Sequence, residues 1–297
     1  MTSVTRSIER LSNSTLKTAV DDLAIEEPLE IQLVFGPADA RDVKTISITM
    51  RTPGHDPELA VGFLVGEGIL RSRDQLESVS SRGPNSVRVV LHPRVMLNLK
   101  RIDRNCYTTS SCGVCGKTSM EALELNFSVL PADTFQIHES AVCALPARLL
   151  VSQEVFAHTG GLHAAGLFTP DSGSVTVRED VGRHNAVDKV IGHQFMQGKG
   201  PLSDHILVVS GRASFELMQK AIAIGIPMLV AVGAPSSLAV QVAERFGATL
   251  IGFTKSRSFN IYTGSHRVII GTEDGSPNAT SKPAPIYEQR SALPLSA

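Results

Sequence analysis

Residues 205–253 alternate between short, almost wholly apolar runs and amphipathic segments, and this rhythm limits the fold more than any other feature. His205-Ile206-Leu207-Val208-Val209 leads into a helical pattern over 214–224, an apolar run over 228–232, a second helical pattern over 236–246 and a last apolar run over 249–253. A strand that is apolar on both faces has to be covered on both faces, and a strand-helix-strand repeat returns to the sheet by a crossover. The expected core is therefore an α/β fold: a parallel segment covered by helices, with right-handed crossovers and ligands at the carboxyl ends of the strands. Just upstream, residues 162–168 and 174–178 read as strands joined across Pro170-Asp171-Ser172-Gly173, followed by a helix over 185–197. A further helix is expected over 146–158, stopped by Gly160-Gly161.

The first hundred residues have a different character. Leu29-Glu30-Ile31-Gln32-Leu33-Val34-Phe35 and Lys44-Thr45-Ile46-Ser47-Ile48-Thr49-Met50 alternate like strands and predict a hairpin around Gly36-Pro37. Asp56-Pro57-Glu58 opens a helix, with Asp56 as side-chain cap, Pro57 where no N–H is needed and Leu59, Phe63, Leu64 and Ile69 as the apolar face. With a strand over 86–91, residues 26–105 read as a small α+β domain. Residues 1–25 mix Ser, Thr and charge without periodicity and read as a mobile arm. A reactive loop is placed at 106–118, the larger domain at 119–270 and a disordered Ser/Pro-rich tail at 271–297.

The reactive loop is Thr108-Thr109-Ser110-Ser111-Cys112-Gly113-Val114-Cys115-Gly116-Lys117. Gly113 and Gly116 let backbone N–H groups turn toward a sulfur anion, and Lys117 adds a positive charge that favours the thiolate. Three uses compete: structural zinc, dithiol–disulfide exchange, and sulfur transfer through a persulfide. Zinc wants four soft ligands, and no second pair exists; Cys106 and Cys143 fall at irregular distances, Cys143 in an apolar run that reads as core. Hydrolytic zinc chemistry needs a His-x-Glu ahead of the cysteines, whereas His138-Glu139 lacks that spacing and follows them. A thioredoxin-like enzyme carries its pair at a helix start after the first long strand, which is not this context.

Four cysteines in 297 residues without a signal peptide indicate a reducing compartment and a cytoplasmic protein. A formal net charge of −1 gives no general attraction for nucleic acid or anionic membrane, and no apolar run is long enough to span a bilayer. The absence of tryptophan also disfavours a base-stacking platform for single-stranded nucleic acid. Any anion must be held by a local cluster, and the strand ends carry three. Val177-Arg178-Glu179-Asp180-Val181-Gly182-Arg183-His184-Asn185 forms one strand-to-helix junction, Ser210-Gly211-Arg212-Ala213-Ser214 the next, and Phe253-Thr254-Lys255-Ser256-Arg257-Ser258 follows the last strand. Basic side chains beside small residues and helix starts suit phosphate. Arg178, Arg183, His184 and Arg212 are the candidates on charge and placement; His163 either faces the same cleft or packs. Neither a P-loop nor a Gly-x-Gly-x-x-Gly fingerprint after a strand is present.

Met50-Arg51-Thr52-Pro53-Gly54-His55-Asp56, the Cys-x-x-Cys run, Gly160-Gly161-Leu162-His163-Ala164-Ala165, the 178–189 segment and Val209-Ser210-Gly211-Arg212-Ala213-Ser214-Phe215-Glu216 closely resemble the FdhD family, sulfur carriers required for formate dehydrogenase activity. The resemblance covers about residues 25–270. It implies a cytidine deaminase-like α/β/α fold for the second half, without the deaminase zinc. It also implies a role: taking sulfur from an L-cysteine desulfurase as a cysteine persulfide and passing it to the molybdenum cofactor, bis-molybdopterin guanine dinucleotide. By match to the family, Cys112 carries the persulfide and Cys115 assists, by releasing the sulfur or by supporting the loop. The family's cofactor-binding segment matches Phe253, Thr254, Lys255, Ser256, Arg257 and Ser258. GDP is then the natural mimic, and a homodimer the expected assembly. In the alternative reading, the protein is a cofactor-binding chaperone whose cysteines are structural or redox-sensing.

Overall fold

The computed structural model describes residues 2–95, 97, 129–131 and 135–271. Cys106, Cys112, Cys115 and the tail from 272 lie outside the described residues. The chain starts with a two-stranded hairpin, β1 (Ser3–Ser12) and β2 (Thr15–Ala24), where an arm without secondary structure was expected. Its turn residues Asn13 and Ser14 have φ of 49° and 61°, the left-handed pair that a two-residue hairpin requires. Neither face of most of this hairpin is covered, so polar and apolar residues do not sort by face and the period-two signal is absent. Leu11, Leu16, Val20 and Leu23 are all exposed.

β3 (Glu27–Phe35), β4 (Asp42–Arg51), the helix α1 (Asp56–Gly66), β5 (Leu76–Ser81) and β6 (Ser86–Leu91) follow. They form a four-stranded sheet of order β4-β3-β6-β5, with β3 and β6 parallel. Asp56 does not cap α1, as its position suggested; the cap is His55, in the left-handed region at φ 57°. The Asp56 carboxylate instead receives both Nε and an Nη of the fully buried Arg51, each at 2.9 Å. A bidentate guanidinium is the stronger partner.

Next come β7 (Ile137–His138), α2 (Glu139–Val151) and α3 (Glu154–Thr159). The single helix expected over 146–158 is thus two, and Pro146 lies inside the first rather than at its start. α2 begins earlier because the His138 side chain accepts the Ser140 N–H, and Glu139 favours the first turn. Cys143 sits on α2 half-buried rather than in the core, and burial, then Glu139, pushes its thiol pKa up.

β8 (His163–Phe168), β9 (Ser174–Asp180), α4 (Arg183–Met196), β10 (Ile206–Val209), α5 (Phe215–Ala223), β11 (Met228–Ala231), α6 (Ser237–Phe246), β12 (Thr249–Lys255), β13 (Ser258–Thr263) and β14 (Val268–Ile269) are the remaining elements of the described residues. The main sheet has the order β13-β12-β11-β10-β8-β9, and its β10-β11-β12 centre is parallel. Alternate residues of these strands enter two cores. Leu207, Val209, Leu229, Ala231 and Leu250 join α4, α5 and α6, while Ile206, Val208, Met228, Val230 and Ile251 join α2. The first of these cores also takes in Leu29, Ile31, Leu33, Val87 and α1, so it is continuous with the small sheet.

The join depends on two glycines. A Cβ on Gly62 of α1 would stand 1.8 Å from the Asp188 carbonyl oxygen, and a Cβ on Gly192 of α4 1.8 Å from that of Glu58. The helices touch backbone to backbone, and no other side chain fits there. Gly62→Ala or Gly192→Ala is expected to lower stability by about 1–3 kcal/mol or more through overpacking, read as a reduced urea midpoint. A wild-type midpoint in both variants would contradict the close crossing.

Candidate functional site

The carboxyl ends of β10, β11 and β12 share one edge of the sheet, and backbone hydrogen bonds lace their loops together. Val232 N–H donates to Val209 O at 3.1 Å, Gly233 N–H to Gly211 O at 2.9 Å and Phe253 N–H to Gly233 O at 3.0 Å. Because β8 runs antiparallel to β10, its first residue, His163, stands at the same edge, opposite Asp180 at the end of β9. The starts of α4, α5 and α6 gather there too. Ser236 caps α6 by accepting the Ala239 N–H at 3.2 Å. Gly182 and Ser214, which precede α4 and α5, give them no side-chain cap.

Arg183, His184 and Arg212 converge on this edge with His163. Burial, helped by the positive charges of Arg183, His184 and Arg212, pushes the His163 imidazole pKa below its ordinary value. Gly211 lies against that ring, where a Cβ would come within 3.3 Å of Nδ1. The Arg183 Nε is buried and has no hydrogen-bond partner among the described residues. An orphaned guanidinium nitrogen beside an uncapped helix start suits an anion. His184 Nε2 lies 3.2 Å from Ser214 Oγ and 3.7 Å from a Glu216 carboxylate oxygen.

Arg178 is elsewhere. Its Nε and an Nη donate to the Glu58 carboxylate of α1 at 2.6 and 3.0 Å, and the same nitrogen meets His193 Nδ1 at 3.1 Å. Burial would raise the Glu58 carboxyl pKa, but His55, Arg178 and His193 hold it well below the usual range. Arg178 therefore ties the small sheet's helix to the main sheet, and its charge is committed. The 253–258 segment, expected as a loop, is the end of β12 and the turn into β13. Phe253 is exposed with φ 53°, and Lys255, Ser256, Arg257 and Ser258 form the exposed hairpin tip. Thr254 is buried, and its hydroxyl donates to Ala231 O at 2.9 Å, so it holds the hairpin rather than a ligand.

A buried network under the site was not singled out from the sequence. Asp180, fully buried, pairs with Lys189 Nζ at 2.7 Å and accepts Gly182 N–H at 2.8 Å, Asn185 Nδ2 at 3.0 Å and Thr52 N–H at 3.2 Å. Lys189 also donates to Thr52 O at 2.9 Å and Glu179 O at 3.2 Å. Every charge in it is compensated, as a buried pair requires. The network clamps the loop after β4 to the start of α4 and so fixes where Arg183 and His184 sit. A cavity of about 580 Å³ opens at the other end of the molecule, where α1, α4 and α5 finish. It shares no residue with the strand-end cluster.

Residues 24–269 match the model of the FdhD/NarQ family. A protein of Streptomyces avermitilis named sulfur carrier protein FdhD is 46% identical, the match covering 89% of this chain and 95% of that one. Those of Mycobacterium tuberculosis and Sulfurisphaera tokodaii, of the same name, are 45% and 43% identical, covering 89% and 88% of this chain and 97% and 96% of theirs. Among solved structures, a putative formate dehydrogenase accessory protein from Desulfotalea psychrophila superposes with a TM-score of 0.72 at 23% identity, covering 91% of this chain and all of that one. That likeness is one of fold.

Glu216 supplies a pH test of the geometry. Burial alone would raise its carboxyl, but His184, its own backbone N–H and Ser214 outweigh this and hold the pKa at about 2, against an ordinary 4.5. A depressed carboxylate stabilises the fold above the ordinary value, and the contribution is lost as pH falls through the depressed one. Glu216→Gln should therefore flatten the loss of thermal stability between pH 4.5 and about 2. A wild-type pH profile in that window would mean that Glu216 does not pair as described.

Proposed function

This chain belongs to the FdhD/NarQ family, and from that premise we propose that it is a sulfur carrier: it receives sulfane sulfur from an L-cysteine desulfurase on Cys112 and delivers it to a molybdenum cofactor bearing guanine dinucleotides, for use by a formate dehydrogenase. The observation that carries the reading is the convergence of Arg183, His184 and Arg212 at one sheet edge, with a buried guanidinium nitrogen that has no partner among the described residues. Such a site asks for a phosphate-bearing ligand. The Cys-x-x-Cys run supplies the nucleophile. In this reading the protein works in the cytoplasm as a homodimer.

Loading is a thiol exchange. The Cys112 thiolate attacks the outer sulfur of the donor's persulfide, the donor's sulfur–sulfur bond breaks, and the donor cysteine leaves as a thiolate. No oxidant or reductant is consumed. In delivery, Cys115 thiolate attacks the inner sulfur of the Cys112 persulfide. The terminal sulfur departs as sulfide to the cofactor, and a Cys112–Cys115 disulfide remains, to be reopened by a cellular dithiol. The cofactor is cargo here, held by its phosphates at Arg183, His184 and Arg212, with the 253–258 hairpin beside them.

Two measurements test the proposal. Intact mass after incubation with desulfurase and cysteine should show one reductant-labile sulfur on the wild type and none on Cys112→Ala, with the fold unchanged; an adduct on that variant would move the carrier elsewhere. Calorimetric titration with GDP should give wild-type affinity in the Cys112→Ala/Cys115→Ala protein and a loss of about 1.5–3 kcal/mol in Arg183→Ala or Arg257→Ala, the scale of a charge-assisted hydrogen bond. Equal affinity in all of these proteins would mean the cluster is not the nucleotide site.

A further inference from the structure

α1, α4 and α5 stop in the same way. Each has a left-handed glycine just past its end: Gly68 at φ 67°, Gly198 at φ 74° and Gly225 at φ 80°. Each closes its last turn with the same pair of backbone bonds. Gly68 and Ile69 N–H donate to Val65 and Leu64 O, Gly198 and Lys199 N–H to Phe195 and Gln194 O, and Gly225 and Ile226 N–H to Ile222 and Ala221 O. This is the pattern by which a glycine ends a helix and satisfies its carbonyls. The three ends meet, none has a side chain at its glycine, and a hollow of about 580 Å³ is left between them.

The wall and the rim of this hollow differ in chemistry. Val65, Leu70, Phe195, Ile222 and Ile224 form an apolar wall, each at least nine-tenths buried. Arg71, Arg73 and Lys199 are the exposed, basic rim, and no aspartate or glutamate lines the hollow among the described residues. The ordinary use of such cations is to compensate the negative ends of helices. Arg73 does this, since its Nε donates to Met196 O, at the end of α4, at 3.2 Å. The other two helix ends have donors of their own: Gln219 Nε2 reaches Gly66 O at 2.9 Å, and Leu202 N–H reaches Ile224 O at 2.9 Å. Arg71 and Lys199 are left with no side-chain partner among the described residues.

We propose that the hollow is a second binding site, for a small apolar acid: an acyl chain or ring lies against the wall, and one carboxylate is held by Arg71 and Lys199. Complementarity selects this occupant, because the wall is apolar, two cations are unmatched and no acid competes for them. The volume falls within the roughly 300–1,000 Å³ usual for small-ligand sites. A concave hollow framed by three turns is also too small a face for a macromolecule, which needs about 800 Å² a side. A nucleotide is the wrong chemistry for it. Phosphates seek helix starts with their free N–H groups, and this place collects helix ends. The proposal is independent of the nucleotide reading above.

Calorimetry on the full chain tests it with octanoate and octanol, which share the chain and differ in charge. Octanoate should bind once per protein chain, and octanol more weakly. Arg71→Ala and Lys199→Ala should each weaken octanoate about 2- to 5-fold, the scale of an exposed ion pair, and leave octanol unchanged. Ala223→Phe, which fills the hollow from the end of α5, should bind neither while melting at the wild-type temperature. Arg183→Ala, at the opposite end of the molecule, should bind octanoate as the wild type does. Phosphatidylglycerol vesicles, which offer acyl chains only behind a headgroup, should not retain the protein. Absence of octanoate binding, equal affinity for octanol, wild-type octanoate affinity in both charge variants, a folded Ala223→Phe that still binds, loss of binding in Arg183→Ala, or capture by the vesicles would each overturn the inference.

Discussion

The backbone contact between α1 and α4 at Gly62 and Gly192 governs the rest of the molecule. It brings the small sheet's helix so close to the main sheet's helix that the loop after β4 falls onto the start of α4. There Thr52 is gripped by Asp180 and Lys189, a charge pair with no access to water. A buried pair of this kind contributes little net stability, but removing one partner would leave the other charge uncompensated. It acts as a register pin. With α4 pinned, Arg183 and His184 are delivered to the strand ends in fixed positions.

Seen this way, the basic residues near the strand ends do two jobs. Arg51 and Arg178 bind carboxylates of α1, at Asp56 and Glu58: the first pair fastens α1 to its own sheet, and the second ties α1 to the main sheet. Arg183 and Arg212 remain at the edge, the first with a buried nitrogen unpaired among the described residues. The difference follows from what each faces. α1 starts with acids, which favour its positive end and also offer anions to any arginine beneath them.

Much of the second half was legible because its strands are apolar on both faces: β10, β11 and β12 fall where the runs at 205–209, 228–232 and 249–253 put them, within a residue or two. The hairpin β1–β2 was not, because a strand without a covered face has no reason to alternate. Pro146 misled for a different reason, since a proline near a helix start is the common case and the true cap, His138, is not a usual capping residue. The cluster of Arg183, His184 and Arg212 was readable from composition at strand ends. Arg178 belongs to the same charged run but pairs with Glu58, 120 residues away in sequence, and no local pattern announces such a partner.

The central claim is that the nucleotide site is the strand-end cluster, not the cavity where α1, α4 and α5 finish. A crystal structure of the protein with GDP bound tests it most directly. The account predicts the diphosphate against Arg183 and Arg212, with the base toward the β12–β13 hairpin. Nucleotide density in the opposite cavity, lined by Arg71, Lys199 and Ile224, with the strand ends empty, would contradict it.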